Sequence, residues 1–577
     1  MISVNETGFL PSAVKLAISD SPGSFRLIDD TDGKPIDIGV AVIDSGFDET
    51  AGCEVYRLDF SGVSAPGIYH LESDDGICSA AFKVEPHVYK TLKNSLLKSF
   101  YFQRCGCGLQ EEYAGCYKRP RCHINPVRIL GSEKTLTVHG GWHDAGDYGR
   151  YASAGAVTVA HMLYAYELFP EAFTDRVNIP ESGNGLPDIL NECRYELDFL
   201  SELQDEDGGV HHKVTTLQFC GFVMPEADLA EQVMFPVTSM STADFAAVMC
   251  IASRVYAGYD PDFARNCIHQ AYLAGQWLLQ NPENTDFHNP EGCNTGEYTD
   301  DSDIDERMWA YAELLRTDTD TMPEERHHIN PMSSQSDSRQ DSYLANLSAG
   351  LELYLKEHDH SDGRSEDDGF GWQDVSCLAA AAVIFDPENH AGEELRNKMS
   401  DMLLERANAF VSMQEDGYPV SMKKQDFVWG SNMVVSNRAD ILILASIALR
   451  KKAEKTGEDI RALTLDIELY EEAALNQMHY ILGMNAMNIS YVTGFGENAF
   501  KDPHNRVTIA DDIERPIPGM VSGGSCIQLL DEEIKKIADD STPAQKCYFD
   551  HHLSYSTNEI AIYWNSSFLF VTAYFDR

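Results

Sequence analysis

The sequence predicts two domains of different class, an all-β sandwich over residues 1–88 and an all-α domain over 89–577. Three observations predict it. At 577 residues the chain exceeds what one hydrophobic core ordinarily organises. Near residue 89 the apolar pattern changes from alternation to a helical repeat. Beyond that point helical stretches follow one another with no strand pattern between them, which implies helix-on-helix packing.

In the first segment, short alternating runs read as strands: Phe25–Ile28, Val40–Ile43, Tyr56–Phe60 and Ala80–Val84. Asp32-Gly33 and Asp75-Gly76 supply turn chemistry between them. About seven such runs in under a hundred residues suggest a sandwich. Nothing catalytic occurs there, so its expected role is to pack against and steady the second domain. In that domain, helical stretches fall near 152–170, 186–204, 241–258, 262–280, 304–316, 340–356, 392–413, 438–454, 466–482 and 557–574. They are expected to form a bundle array or a toroid of helical hairpins. The acidic loops Thr299–Asp303 and 359–368 read as solvated or ion-binding.

Charge excludes some partners. Asp and Glu number 92 against 44 Lys and Arg, a formal charge of -48. Nucleic acid and anionic membranes need clustered cations, so neither is expected as a partner. The surplus reads as a solvated acidic surface, with attraction of cationic substrates as a second reading. Met1–Glu6 has no basic start followed by an apolar core, so no secretory signal is expected. No apolar run reads as a membrane span. Fourteen cysteines without a pairing pattern, Cys193, Cys250 and Cys377 in helical stretches among them, read as buried thiols of a reducing compartment. A cytoplasmic location follows as an expectation, and the oligomeric state stays open.

Two segments at opposite ends carry the chemistry. Asp144 and Asp147 sit three apart around Gly146, on a loop preceding a helix, where two carboxylates can converge on one water. Gly146 is expected to supply backbone freedom. A calcium-binding loop or a plain turn reads the same way. Glu559 follows Ser556-Thr557-Asn558 and precedes a long apolar run, placing it in a helix's first turn, where a capping role is the plain alternative. The helix dipole there would lower its pKa, whereas a general acid needs it raised, so burial and repulsion from Asp144 and Asp147 would have to prevail. A base and an acid so placed are the raw material of a glycosidase.

Cys105, Cys107, Cys116, Cys122, His123, His139 and His143 lie within about forty residues. Their spacing leaves a structural zinc site and a set of free thiols both open. A metal at His143 would pin the loop carrying Asp144. The glycine loop from Ser490 to Asn498 leads to His504 and Arg506, a pair able to bind sugar hydroxyls, although His504 alone also reads as a core histidine.

Taken together, these segments resemble glycoside hydrolase family 9, over essentially the whole chain. Gly141–Tyr148 looks like the family's catalytic-base segment, Ser490–Arg506 its histidine signature and Tyr548–Asn565 its acid signature. Ile179–Asp188, Ser241–Phe245 and Trp429–Met433 are similar too, and Val4–Pro11 resembles the opening of the immunoglobulin-like domain of one branch. The resemblance implies an (α/α)6 barrel and an inverting mechanism, with Asp147 as base, Asp144 its partner and Glu559 the acid. It implies sugar contacts at His504, Arg506 and Tyr555. It also implies structural zinc on Cys105, Cys122, His123 and His143, and calcium as a further ion, with Glu181, Asn184 and Asp188 or the Asp300–Asp303 loop as candidates. No organic cofactor is implied. One departure stands out: where relatives read Gly-Gly-Pro-Asn, this chain has Gly523-Gly524-Ser525-Cys526, which bears on the substrate cleft.

The expected substrate is a short oligosaccharide, cut at β-1,4 linkages one sugar at a time from the nonreducing end, glucose or glucosamine. The alternative is an endo-β-1,4-glucanase acting on cellulose or mixed glucans.

Overall fold

The computed structural model describes all residues except 286, 318–335, 359–367 and 457–459, and it omits the side chains of 336–344, 357–358, 456 and 462. The 359–368 loop therefore lies outside the described residues apart from Asp368.

Between residues 2 and 84 nine short strands, β1 to β9, form two sheets, ordered β1-β3-β7-β6 and β2-β9-β8-β4-β5. β1 is Ile2–Ser3, β2 Gly8–Phe9, β3 Leu16–Ser19, β4 Phe25–Asp29, β5 Lys34–Pro35, β6 Ala41–Asp48, β7 Cys53–Asp59, β8 Gly67–Ser73 and β9 Phe82–Val84. Alternate residues of β8 and β9 are buried, as a sheet with one wet face requires. Between the sheets pack Val4, Phe9, Leu27, Leu58, Phe60, Leu71 and Phe82.

Among the described residues, twelve helices of nine residues or more follow. They alternate between an outer and an inner position. The inner set is α2 (Ala152–Leu168), α4 (Ser239–Tyr256), α6 (Ile304–Arg316), α8 (Ser376–Ile384), α10 (Ser431–Thr456) and α12 (Ile562–Phe575). Each touches the next, and α12 touches α2, closing the ring. The outer set is α1 (Lys90–Gln103), α3 (Asp188–Ser201), α5 (Pro261–Gln280), α7 (Ser336–His358), α9 (Glu393–Ser412) and α11 (Thr464–Ile481). This is the (α/α)6 barrel. Sequence pattern sorts the two rings. Outer helices bury one stripe, such as Leu395, Met399, Leu403, Ala407 and Phe410 of α9, whereas α12 buries every residue from Ile562 to Tyr574.

Two expectations are corrected here. The barrel domain does contain strands, in a five-stranded sheet and a two-stranded one built from pieces of two or three residues, too short for an alternating pattern to show. Ser431–Lys455 is long and apolar enough to span a bilayer, although no such run was expected. It is the inner helix α10, and 94% of its apolar window is buried inside the protein.

The sandwich is bonded to the barrel by buried polar contacts. The Glu6 carboxylate accepts from Asn498 N at 2.8 Å and Asn498 Nδ2 at 3.0 Å, and Asn5 Nδ2 meets His479 Nδ1 at 2.8 Å. Arg57 donates to the carbonyls of Gln414 and Gly417.

Candidate active site

Backbone hydrogen bonds stitch the three motif segments together at one end of the ring. Ile562 N, the first residue of α12, donates to the Asp144 carbonyl at 2.8 Å. Arg506 N donates to the Gly146 carbonyl at 3.1 Å, and His504 N donates to the Asn558 carbonyl at 2.8 Å. Gly523 N donates to the Glu559 carbonyl at 2.8 Å. Gln103 Nε2 of α1 supports the loop from below through the His143 and Ala145 carbonyls.

Asp144 is buried. Its Oδ2 accepts from Tyr298 Oη at 2.5 Å, while its Oδ1 is buried without a protein partner. Asp147 Oδ2 accepts from Gly149 N and from Tyr151 Oη, both at 3.0 Å. Tyr151 Oη in turn accepts from Gly296 N at 3.1 Å, so its single hydrogen points at Asp147. Lys213 Nζ caps this chain at the Gly296 carbonyl and lies 5.7 Å over the Tyr151 ring. Burial, then the charge of Asp147, pushes Asp144 well above the usual carboxylate range. Asp147, by contrast, receives two donors on one oxygen.

Glu559 does not begin a helix. A single turn, Tyr555–Asn558, ends at it, and the residue itself is extended (φ -66°, ψ 158°), three positions before α12. It lies outside the first turn of α12, where the expected opposition of the helix dipole is strongest. Burial, followed by repulsion from Asp147, raises its pKa to about 8 against the weaker opposing pull of Gly146 N and Arg506. Its Oε1 accepts from Gly146 N at 3.3 Å.

Gly146 is needed for a different reason than expected. It does not have a positive φ; Gly140 and Gly141 do. A Cβ on Gly146 would collide with the His504 carbonyl and meet Glu559 Oε1 at 3.0 Å. The glycine permits close approach rather than unusual torsion.

His504 donates from Nδ1 to the His552 carbonyl at 2.5 Å, and burial lowers its pKa, so the neutral ring keeps a lone pair on Nε2. Its edge meets Phe222 at 5.6 Å. Arg506 faces the loop: Nη1 donates to the Gly146 carbonyl at 2.8 Å and Nε to the Cys220 carbonyl at 3.2 Å. Tyr555 is half-buried and packs edge-on against the exposed Trp429 at 5.2 Å. Ser525 and Cys526, where the chain departs from its relatives, are buried against the Gln545 and Cys547 carbonyls. Tyr298 and Lys213 lie outside every motif, so nothing in the sequence pattern points to them.

Cys105 Sγ, Cys122 Sγ and one nitrogen each of His123 and His143 lie within 4.8 Å of one another. The Cys105–His123, Cys122–His143 and His143–His123 separations are 3.6, 3.9 and 3.4 Å. Ligands at about 2.3 Å (sulfur) and 2.0–2.1 Å (nitrogen) around a tetrahedral ion stand about 3.4–3.8 Å apart, so the donor set fits zinc. Asp228 Oδ2 lies 3.4 Å from His123 Nε2, the position of an orienting carboxylate. A hydrogen bond from Cys105, then those to His123 and His143, pull the Cys122 thiol far down, favouring the thiolate that a metal takes.

The calcium candidates divide. Glu181 is held by both Nη atoms of Arg104 at 2.9 Å, Asp188 Oδ2 accepts from Val177 N and Ser182 Oγ, and Asn184 pairs with Asn191. These oxygens are engaged, and the set does not fit a cation. The charge of Asp300 acts on Asp244, Asp305 and Glu306, and that of Asp374 on Asp300 and Asp305. Both carboxylate oxygens of Asp244 and of Glu306 are buried without a partner. Burial, then mutual repulsion, pushes Asp305 and Glu306 well above the carboxylate range and, with a lesser push, Asp300 to about 6. Such a carboxylate set suits a hard cation.

A closed ring of paired helices that brings Asp144, Asp147 and a buried Glu559 to one loop has the make-up of an acid–base hydrolase. Residues 89–572 match the model of glycosyl hydrolase family 9, and residues 1–76 match that of the cellulase N-terminal ig-like domain. The chain belongs to glycosyl hydrolase family 9 and is a cellulase-type glycoside hydrolase. It is 38% identical to the cellodextrinase of Butyrivibrio fibrisolvens, over 99% of this chain and 98% of that protein. A single mutant of the thermostable endoglucanase from Alicyclobacillus acidocaldarius superposes with a TM-score of 0.84 at 31% identity, covering 100% of this chain and 99% of that one. A zinc-binding triple mutant of the family 9 endoglucanase J30 gives 0.84 at 29% identity, over 99% and 100% of the two chains.

Proposed function

We propose that this protein hydrolyses β-1,4 linkages in short gluco-oligosaccharides with inversion, one sugar at a time from the nonreducing end. The observation that carries the mechanism is the unlike state of the two carboxylates: Glu559 raised to about 8, and Asp147 receiving two hydrogen bonds on one oxygen. A carboxyl kept protonated by burial suits the acid, and a carboxylate receiving two donors suits the base. Asp147 takes a proton from water as the water oxygen bonds to the anomeric carbon. Glu559 gives its proton to the glycosidic oxygen as the C–O bond breaks. Asp144, anchored by Tyr298, turns its unpartnered Oδ1 to that water. An inverting site places acid and base about 6.5–9.5 Å apart to admit the water.

His504 Nε2 accepts a sugar hydroxyl, while Trp429 and Tyr555 offer aromatic faces. Arg506 acts chiefly by holding the Gly146 carbonyl. Cys105, Cys122, His123 and His143 hold zinc in a structural role, pinning the loop one residue before Asp144. For calcium the candidates are Asp244 and Glu306, whose carboxylate oxygens are buried without a partner. The fourteen cysteines, all unpaired, support a reducing cytoplasmic location.

Likeness to a cellodextrinase over the full length supports glucose oligomers as substrate. Likeness to an endoglucanase favours a second reading, internal cleavage of longer glucans. Product analysis on cellobiose through cellotetraose, with the matching glucosamine oligomers in parallel and anomers followed by NMR, separates the readings. Stepwise release of α-glucose supports the proposal. Cellobiose and mixed products establish endo action, release of glucosamine alone transfers the assignment to that sugar, and a β-anomer as first product overturns inversion.

A further inference from the structure

Asp502, His551 and His552 make a second cluster of metal-ligating side chains, apart from the cysteine–histidine group. One ligand atom from each lies within 4.8 Å of the others. His552 Nδ1 and Asp502 Oδ2 are 2.9 Å apart, the separation of two ligands at right angles about an ion with bonds of about 2.1 Å. The rings are held by packing: His551 stacks on His552 at 4.7 Å and 17°, and Phe549 stacks on His551 at 5.2 Å. The His552 and Asp502 side chains are 32% and 45% exposed, so a hydrated ion reaches them.

We propose that these three residues bind one divalent transition-metal ion, such as Zn²⁺, Ni²⁺ or Cu²⁺, with water completing its shell. Two imidazoles and one carboxylate select late first-row ions over Mg²⁺ and Ca²⁺. Binding exchanges the His552–Asp502 hydrogen bond for metal bonds.

The position gives the ion a consequence. Asp502 stands two residues before His504, and its carbonyl accepts from Asn558 Nδ2 at 2.5 Å, next to Glu559. The His552 carbonyl is the acceptor of His504 Nδ1. Asp550 already ties the segments together, accepting from Lys501 N, Asp502 N and Asn558 Nδ2. A bound ion adds a second cross-link between the stretches that deliver His504 and Glu559, so its occupancy stiffens the substrate side of the cleft. None of this depends on which sugar is cut.

The test titrates Ni²⁺ into the full-length protein by calorimetry, with the zinc content fixed beforehand, for wild type, His551→Ala, His551→Gln and Asp502→Asn. Wild type is expected to bind one more Ni²⁺ per chain than each variant, or to bind it at least about tenfold more tightly. Saturating Ni²⁺ raises the melting temperature of wild type alone, and His551→Gln keeps its nickel-free activity. Equal stoichiometry and affinity in all four proteins overturns the site, as does a melting temperature indifferent to Ni²⁺.

Discussion

The carbonyl oxygen of His504 stands against the α-carbon of Gly146, inside the 3.0 Å that a Cβ does not tolerate. Two motifs far apart in sequence are thereby locked face to face. Because the obstacle is backbone, no side-chain rotation relieves it, and Gly146→Ala must push the loop away from His504 and Glu559. The expected cost is about 1–3 kcal/mol of stability. A displacement of about 1 Å lowers kcat roughly 10²-fold. Melting temperature and kcat measured together check this, with zinc content reporting that the rest of the loop is intact. Near-normal kcat in a folded variant would contradict the packing argument.

Glu559→Gln keeps the shape and removes the proton. Loss of general acid catalysis is expected to lower kcat by about 10²–10⁴-fold while oligosaccharide binding persists. In wild type the acid works while protonated, so kcat falls as pH rises through about 8. Stability follows the same proton. A carboxyl whose folded pKa lies above its unfolded one holds more protons when folded, so wild type loses stability from about pH 4.5 to about 8. Glutamine has no such loss. The variant is expected to melt higher than wild type at pH 8 and nearly alike at pH 4, a comparison that thermal scans at the two pH values make directly.

Tyr151→Phe deletes the donor to Asp147 Oδ2 and strands Gly296 N, leaving Gly149 N as the remaining partner of that oxygen. Hydrogen bonds to charged groups contribute about 1.5–3 kcal/mol. If the bond steadies the base, kcat drops about 10–100-fold with KM little changed, because the base acts in the chemical step rather than in sugar binding. A rise in KM with kcat preserved would reassign Tyr151 to the binding of substrate.

How far these sites could be read from sequence follows from the range of the forces that make them. The apolar stripe of α9 and the long, mostly apolar run of α12 are local patterns, and they are legible as helices. Asp144, Asp147 and Glu559 were visible because each lies in a motif. Other features depended on contacts across hundreds of residues. The collision behind Gly146 involves His504, the partner of Asp144 is Tyr298, and the bonds that empty Glu181 of calcium-binding capacity come from Arg104. Glu559 was misplaced into a helix because Ser556-Thr557-Asn558 looks like a cap. The backbone there instead pairs with His504 and Gly523, and tertiary hydrogen bonds overrode the local preference.

The cysteine–histidine group offers the last prediction. His143 N donates to the Gln103 carbonyl at 2.7 Å, and Cys105 N donates to the Gly141 carbonyl at 2.8 Å, so the ligands flank the backbone that leads into Asp144. Buried Cys105 is pushed well above the ordinary thiol range by desolvation, then by its bond to Cys122, a state that bonding to a metal would relieve. Cys122→Ser is expected to reduce bound zinc from one per chain to a small fraction, to lower the melting temperature, and to reduce kcat through the displaced Asp144. Metal analysis, melting and kinetics on the same preparation check the three effects. Because the role is structural, cobalt substituted for zinc should restore stability and activity together, with the ligand-field absorption of a tetrahedral thiolate site. Cobalt that restored stability yet left kcat low would show that the ion touches the chemistry itself.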